Sequence, residues 1–207
     1  MTELNELSEH QLDALREVGN IGTGNAITAL SKFINKNIDM NIPESKFIDI
    51  TKFTEELGGP ESIVTSIYLE IKGDLTGDAM FVFSKEGAFE LVDIMMGRET
   101  GSTTEFTEMT QSAFTELSNI LTGSFLSALS NMLEVQTLPS VPHTATDMAQ
   151  SLLDFVLAKI GNYADQLFCV KTKINVEGHH INGDFLVVFD KPSLNKMLEI
   201  LEEKFGM

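Results

Sequence analysis

Residues 13–24 read DALREVGNIGTG, and residues 112–123, which lie 99 positions later, read SAFTELSNILTG. At that offset, residues 14–31 and 113–130 align without gaps and are identical at nine of 18 positions. Unrelated stretches of average composition would share roughly one residue over this length. The chain is therefore predicted to contain two copies of one unit, and the repeated sequence opens each copy.

The sequence around each copy predicts the same order of elements in both halves. Long helices are predicted at about 8–35 and 105–133, with Ser8 and either Thr104 or Thr107 as N-caps. An extended segment, a hairpin and a closing helix follow, at 38–50, 62–84 and 87–96 in the first half and at 135–143, 167–189 and 192–205 in the second. The second half differs by an inserted amphipathic helix at about 147–160.

These elements predict the fold class. Hairpins imply antiparallel strand pairing, because only antiparallel neighbours can be joined by a short turn. Two halves of about three strands each can bury their apolar faces by joining into one six-stranded, mainly antiparallel sheet with helices packed on it. We therefore expect an α/β fold of the α+β sandwich type with a pseudo-two-fold axis. The whole chain, 1–207, is expected to be one domain built from repeats 8–98 and 105–207.

The charge of the chain restricts its partners. It carries 14 Lys and Arg against 31 Asp and Glu, a formal net charge of −17, without a basic cluster. Nucleic-acid binding needs such clusters and membrane insertion needs a long apolar span, so neither is expected. The single cysteine, Cys169, excludes an internal disulfide. The N-terminus is polar and acidic and has no signal-peptide pattern, so the chain is expected to be cytoplasmic.

Helix geometry sorts the repeated residues into an exposed stripe and a buried face. At about 100° per residue, each copy places four residues in a stripe roughly 60° wide. The stripes are Asp13, Glu17, Asn20 and Gly24 in the first copy, and Ser112, Glu116, Asn119 and Gly123 in the second. The opposite faces are apolar and predicted to be buried, with Leu15, Val18, Gly22, Ala26, Ala29 and Phe33 in the first copy and Phe114, Leu117, Leu121, Phe125, Ala128 and Met132 in the second.

The residue types in the stripes restrict their chemistry. Asn is a mediocre mid-helix residue and Gly costs about 1 kcal/mol against Ala, so an ordinary solvent-facing surface explains their repetition poorly. A glycine on an exposed stripe indicates that something approaches the helix backbone closely. Neither stripe offers a histidine base, and one carboxylate is a poor metal cage. A carboxamide can orient a water, which serves phosphoryl transfer when the target brings its own metal and electrophile.

The spacing [Asp/Ser]-x3-Glu-x2-Asn-x3-Gly in both copies resembles the signature of the CheC/CheX/FliY family of chemotaxis phosphatases. The resemblance implies a pseudo-symmetric α/β sandwich that dephosphorylates the aspartyl phosphate of CheY-type response regulators. It implies that Asn20 and Asn119 align the attacking water and that Glu17 and Glu116 dock the receiver domain. It also implies that the protein needs no cofactor of its own, because the phosphorylated receiver holds the Mg²⁺.

The resemblance brings one further partner and one rival function. CheC proteins bind the receptor deamidase CheD, and the inserted segment from Asp147 to Ile160 is a candidate contact for it. A helix that only covers the core is an equal alternative for this segment. The rival function is a non-catalytic flagellar-switch or adaptor module that binds the phosphorylated regulator. The switch protein FliY adds segments to this core, and the chain, which ends at Met207, is expected to leave no room for them.

Overall fold

The repeated sequence forms two helices of 26 residues each. The structure is a computed structural model, which describes residues 9–40, 44–49, 52–160, 166–176 and 179–205. In chain order the elements are α1 (Glu9–Ile34), β1 (Ile38–Met40), β2 (Glu44–Asp49), α2 (Phe53–Glu56), β3 (Ile63–Gly73), β4 (Gly77–Ser84), α3 (Lys85–Met95), α4 (Glu108–Leu133), β5 (Thr137–Pro139), β6 (His143–Met148), α5 (Ala149–Ile160), β7 (Gln166–Val176), β8 (His179–Phe189) and α6 (Lys191–Phe205). The predicted helices and hairpins are all found, in the predicted order.

The strands form one antiparallel sheet that joins the two halves of the chain. Its order is β1-β7-β8-β4-β3-β5, with β2 also pairing with β7 and β6 also pairing with β3. At the centre, β4 of the first half pairs with β8 of the second, with Phe81 opposite Phe185. The described residues thus form eight strands rather than the six predicted, and these occupy six positions because each edge position is shared by two short strands.

The edge strands are exchanged between the halves. β2 of the first half pairs with β7 of the second, with Glu44 opposite Lys171. β6 of the second half pairs with β3 of the first, with Tyr68 opposite His143. Because each half supplies the edge beside the other half's hairpin, the two halves build one sheet between them.

Side chains alternate between the two faces of the sheet, and each face has its own core. On one face, residues of β3, β4 and β8 pack with α1, α3, α4 and α6 around Leu30, Phe114 and Phe125. The other face is covered by α2 and α5, where Phe53 and Leu152 are buried. The protein thus has three layers, and the two repeated helices lie together in one outer layer.

The inserted helix begins two residues later than predicted. Asp147 and Met148 belong to β6 and α5 begins at Ala149, because the backbone up to Met148 is paired with β3. The first half has a short equivalent, since α2 follows β2 and lies on the same face of the sheet as α5. The insertion is therefore an enlargement of an element that both halves have.

The buried face of α1 ends earlier than predicted. Leu15, Val18 and Gly22 are buried as expected, but Phe33 is 49% exposed. Phe33 is the penultimate residue of α1, where the helix ends. Ser8, the predicted N-cap of this helix, lies outside the described residues. Helical periodicity predicted the direction in which Phe33 points but not how far along the helix the core extends.

The connection between the halves is held by a buried carboxylate on α3. Asp93 accepts hydrogen bonds from Thr103 Oγ1 (2.6 Å), the Gly101 N–H (2.8 Å) and the Thr103 N–H (3.2 Å). Burial alone would raise the pKa of this carboxyl, but these hydrogen bonds hold its pKa below the ordinary aspartate value. Shortly afterwards Thr107, one of the two predicted caps, caps α4 by accepting a hydrogen bond from the Thr110 N–H (3.3 Å). The anchored connection therefore leads directly to the start of α4.

Candidate functional site

Helices α1 and α4 lie side by side and run antiparallel. The C-terminal part of α6 contacts the beginning of α1, where Gln11 Nε2 donates a hydrogen bond to Glu202 Oε1 (3.0 Å). It also contacts the end of α4, where Lys204 Nζ donates to the Met132 carbonyl (3.3 Å). Since one end of α6 touches the start of one helix and the end of the other, the two helices point in opposite directions.

The two helices meet tightly at Gly22 of α1. A Cβ atom on Gly22 would lie 2.4 Å from Phe125 Cδ2 of α4, so the ring occupies the space that a side chain would need. Phe125 also packs on Phe185 of the sheet, with the ring centroids 4.3 Å apart. This contact fixes the rotation of each helix about its own axis, because the apolar side of each helix must face the other helix and the sheet. The polar stripe of each helix is thereby turned outward.

The first stripe lies on the outer side of α1. Glu17 is exposed, and Asn20 and Gly24 are half-buried. Asp13, where the stripe begins, is exposed and forms an ion pair with Arg16 (Oδ1 to Nη1, 2.8 Å). Asn20 already has an interaction partner within the chain. The carboxylate of this stripe is therefore open to a partner, whereas its asparagine is partly covered by the chain.

The second stripe presents the same residue types on α4 in a more open setting. Ser112, Glu116 and Asn119 are all exposed, and Gly123 is half-buried. Because the helices are antiparallel and Gly22 meets Phe125, the two stripe glycines lie at about the same level along the pair. Each stripe runs outward from its glycine, so the two asparagines are separated by on the order of 10 Å along the helix axes. The structure brings the stripes onto one surface without merging them into one site.

The stripe glycines are not required by packing within the described part of the chain. A Cβ atom added to Gly24 or to Gly123 would meet nothing within 4 Å. Both lie inside helices and neither has a positive φ, so the conformational freedom of glycine is not used. Glycine in a helix nevertheless costs about 1 kcal/mol relative to alanine. The open backbone at these two positions is therefore the feature that an approaching partner would use.

Two isoleucines border the stripes, and the helix-face prediction assigned no role to them. Ile21 is 37% exposed and Ile120 is half-buried. Neither belongs to the apolar residues that pack against a described core. A signal for them was present in the sequence, because they are equivalent at the offset of 99 and identical.

Each stripe therefore offers a carboxylate, an amide one turn later and open backbone one turn beyond the amide. The carboxylate can pair with a cation, and the amide can donate one hydrogen bond while it accepts another. Within the described ranges, no group of three or more His, Cys, Asp or Glu side chains is placed to hold a metal ion. No helix among the described elements is long and apolar enough to cross a membrane.

Comparison with known proteins covers both stripes. Residues 11–46, which include most of the first stripe helix, match the CheC-like family, and residues 64–152, which include the second, match the chemotaxis phosphatase CheX family. The CheY-P phosphatase CheC of Bacillus subtilis (strain 168) is 32% identical over 205 residues, which cover 97% of this chain and 98% of that protein.

Solved structures share the fold. The X-ray crystal structure of Thermotoga maritima FliY has a TM-score of 0.76 at 23% identity, and the match covers 96% of this chain and 98% of that chain. The CheX-CheY-BeF3-Mg²⁺ complex from Borrelia burgdorferi contains a chain with a TM-score of 0.52 at 16% identity, and this match covers 82% of this chain and 96% of that chain. At these identities the structural matches establish the fold alone.

Proposed function

The chain belongs to the CheC-like family, and on that basis we propose that it is a phosphatase that hydrolyses the aspartyl phosphate of a CheY-type response regulator. The observation that carries the proposal is the pair of outward-facing stripes, each with a carboxylate, an amide and an open glycine backbone. The names of a relative, CheY-P phosphatase, and of a solved complex between a fold relative and CheY support it. The proposal places the reaction in the cytoplasm, together with that regulator.

In the proposed reaction, Asn20 or Asn119 orients the attacking water. The amide oxygen accepts a hydrogen bond from the water, and the amide N–H donates to the phosphoryl group. The water oxygen bonds to phosphorus as the bond between phosphorus and the aspartyl oxygen breaks, which releases inorganic phosphate and restores the carboxylate. Mg²⁺ on the receiver domain neutralises the phosphoryl charge, so the chain is proposed to need no cofactor of its own.

Glu17 and Glu116 are proposed to dock the receiver by pairing with one of its basic side chains. Both carboxylates are exposed and lie one turn before the asparagine. Gly24 and Gly123, one turn after the asparagine, lower the helix surface so that a loop of the receiver can approach the backbone. The asparagine lies between the open backbone at the glycine and the charge contact at the glutamate, so it can reach the phosphorylated aspartate of the receiver. The net charge of −17 also favours approach of a basic surface.

The experiment that tests this proposal is phosphate release from a phosphorylated CheY-type receiver domain. Wild type, Asn20→Ala, Asn119→Ala and the double variant are compared. The double variant is expected to lose about 100-fold or more in rate, which is the usual cost of removing a well-placed hydrogen-bonding group from a reaction site. Asn25→Ala is the matched control, because Asn25 is an exposed amide on α1 outside the stripe and bonds to the Ile21 carbonyl of its own helix (2.8 Å).

Two results would reject the mechanism. Equal rates in wild type and in the double variant would remove the asparagines from the reaction. Phosphate release that stays at the spontaneous rate of the free receiver, with wild type nevertheless bound to it, would instead support the rival function of a switch or adaptor module.

We also propose that the segment around the end of β6 and α5 binds the deamidase CheD. Asp147 is exposed there, and so are its neighbour Met148 (43%) and Phe155 on α5 (39%). Methionine and aromatic residues are enriched at protein interfaces relative to the rest of the surface, which favours this segment as a contact. The alternative, that α5 only covers the core, accounts for the buried Leu152 and Val156 and for the contact of Phe155 with the Tyr68 ring (centroids 4.8 Å apart), but not for the exposed Met148.

A pull-down with Asp147→Lys tests this contact. The variant is expected to lose CheD while it keeps phosphatase activity in the absence of CheD. Asp147 also accepts hydrogen bonds from Ser151 Oγ (3.0 Å) and the Met148 N–H (2.7 Å), so circular dichroism must show that α5 is intact. Glu199→Lys, which makes the same charge change on exposed α6 on the opposite face of the sheet, is the control. Unchanged CheD binding by a folded Asp147→Lys variant would remove Asp147 from the interface.

A further inference from the structure

We infer that Ile21 and Ile120 are specificity-determining residues of the two sites, each packing the aliphatic stem of the basic side chain that pairs with the neighbouring glutamate. This inference rests on the proposed function, because it assumes that a receiver domain docks on the stripes. It adds a residue to each site that the Glu, Asn and Gly spacing does not include.

The first observation is that both isoleucines leave part of their side chain open to solvent. Ile21 is 37% exposed, Ile120 is half-buried, and neither packs against a described core. Isoleucine is a weaker helix former than leucine, lysine or glutamate, because its branched side chain loses rotamer freedom in a helix. At the same position of both copies, this choice leaves apolar surface in water and costs helix propensity. An interaction outside the chain explains both.

The second observation is the position of each isoleucine relative to the stripe. Ile21 follows Glu17 by four residues and precedes Gly24 by three, and residues at these spacings are neighbours on a helix surface. Ile120 stands in the same relation to Glu116 and Gly123. At about 100° per residue, each isoleucine therefore lies about 40° to one side of the carboxylate, and the asparagine lies on the other side of the stripe. A basic side chain that pairs with the carboxylate from the isoleucine side of the helix would contact the isoleucine.

The chemistry of a basic side chain fits this arrangement. Lysine and arginine lay their methylene stems along apolar surface while the charged end stays in contact with an anion or water. A carboxylate with an isoleucine one turn further along offers both surfaces to one such side chain. A glutamate alone would give a solvent-exposed ion pair, which is worth little. The isoleucine would add apolar contact to this ion pair. It would therefore favour receivers whose residue opposite the glutamate has a long aliphatic stem over receivers with a short polar side chain there.

The test uses one site at a time. In the Asn119→Ala background only the α1 site is active, and Ile21→Ser is compared there with Ile21→Leu, using a phosphorylated receiver domain as substrate. Ile21→Ser is expected to raise KM about tenfold, as expected for losing the burial of one aliphatic side chain. Its kcat is expected to stay within about twofold, because a contact that is the same before and in the transition state changes binding alone. Ile21→Leu is expected to restore most of the affinity.

Two controls separate a binding role from a structural one. Leu138→Ser removes an apolar side chain that is 67% exposed on the edge strand β5 and outside both stripes, and is expected to leave the KM of the α1 site unchanged. A double-mutant cycle of Ile21→Ser with Glu17→Gln tests the shared partner. If one basic side chain contacts both residues, the two losses in kcat/KM are not additive. Ile21→Ser is expected to lower the melting temperature only slightly, because the side chain is 37% exposed, and KM is measured well below that temperature.

The outcomes are distinguishable from failure of the proposed function. If adding Asn20→Ala to the Asn119→Ala background leaves the rate unchanged, the phosphatase mechanism itself is wrong. If that substitution abolishes activity while Ile21→Ser leaves KM unchanged, only the present inference is overturned. A fall in kcat at constant KM, or strict additivity with Glu17→Gln, would overturn it as well.

Discussion

Helices α1 and α4 have the same conformation at their C-terminal ends and the same residue types in their outer stripes, but they carry different residues where they touch each other. Both are followed by a non-glycine residue in the left-handed conformation, Asn35 (φ 52°) and Glu134 (φ 54°), and these two positions are equivalent at the offset of 99. At their contact, α1 has Gly22 where α4 has Leu121, and Phe125 of α4 fills the gap at the glycine.

This difference has a packing reason. Two identical large residues facing each other at a tight helix contact would collide, and two identical small ones would leave a void, and both are destabilising. One large and one small residue fill the space, so a duplicated helix pair packs best when its two interior faces differ. The outer stripes have no such constraint within the chain. The glutamate, asparagine and glycine are the same in both stripes, which points to a requirement set by the same external partner.

The largest expected effect concerns the connection that leads into α4. The connection before α4 is held by hydrogen bonds from the Gly101 and Thr103 N–H groups to Asp93. Asp93→Asn is expected to lower the free energy of unfolding by about 2 kcal/mol, because the new amide NH₂ group is a donor and would face other donors without an acceptor. Urea unfolding at neutral pH measures this loss. The exposed Asp154→Asn on α5 is the control and is expected to change stability little.

The same variant has a predicted pH dependence. The pKa of Asp93 in the folded protein is lowered from the ordinary value of 3.8, so its contribution is complete above that value and is lost as pH falls through the folded pKa. The difference in unfolding free energy between wild type and Asp93→Asn is therefore expected to narrow only below about pH 3.8. A difference that is already narrowing near neutral pH would contradict the depressed pKa.

The second effect contrasts two glycines two residues apart on α1. Gly22→Ala is expected to destabilise the protein by about 2 kcal/mol, because its Cβ would lie 2.4 Å from Phe125 Cδ2. Gly24→Ala is expected to stabilise it by about 1 kcal/mol, since the new methyl group meets nothing and alanine is the better helix former. Thermal unfolding of the two variants gives both signs in one experiment.

Activity measurements complete this contrast. Despite its higher stability, Gly24→Ala in the Asn119→Ala background is expected to lose activity on the phosphorylated receiver, because the methyl group raises the surface that the receiver must approach. A Gly24→Ala variant that is more stable and fully active would show that the open backbone is not used by the partner.

Much of the fold could be predicted from the sequence because its signals are local. The helices at 9–34 and 108–133 and the hairpins followed from periodicity and turn residues, and the repeat offset showed that the halves correspond. The exchange of edge strands was not predictable, because the pattern of β2 and β6 gives their extended conformation but not which hairpin they join. Nor did the sequence show that Asp93 is buried, since its partners Gly101 and Thr103 come from a polar connection.

The candidate site divides in the same way. The outward direction of Glu17 and Glu116 follows from helix geometry and is found in the structure. The degree of burial of Asn20 and Asn119 was not predictable, because it depends on neighbours brought in from other parts of the fold. The role of the stripe residues in catalysis stays a prediction. The difference in burial between the two asparagines gives that prediction a sharper form.

The smallest effect expected is an inequality between the two sites. Asn119 is exposed, whereas Asn20 is half-buried and has an interaction within the chain, which we expect to compete with a bound water. Losing one net hydrogen bond of about 1 kcal/mol corresponds to about a fivefold change in rate. Asn119→Ala is therefore expected to lower phosphate release about fivefold, and Asn20→Ala only slightly, because the faster site remains in the second case.

Single-turnover phosphate release measures both variants. With the phosphatase in excess over the phosphorylated receiver, each phosphatase molecule binds at most one receiver, so the rate does not depend on whether both sites can be occupied at once. We expect Asn119→Ala to be the more damaging variant because the exposed Asn119 amide can adjust to the receiver. The half-buried Asn20 amide is held by the fold, so it can serve the reaction only if its fixed position suits the receiver. The opposite order, with Asn20→Ala the more damaging variant, would mean that the interaction of Asn20 pre-orients the amide for the water. In that case α1 carries the prepared site and the exposure of Asn119 is a loss of order at the second site.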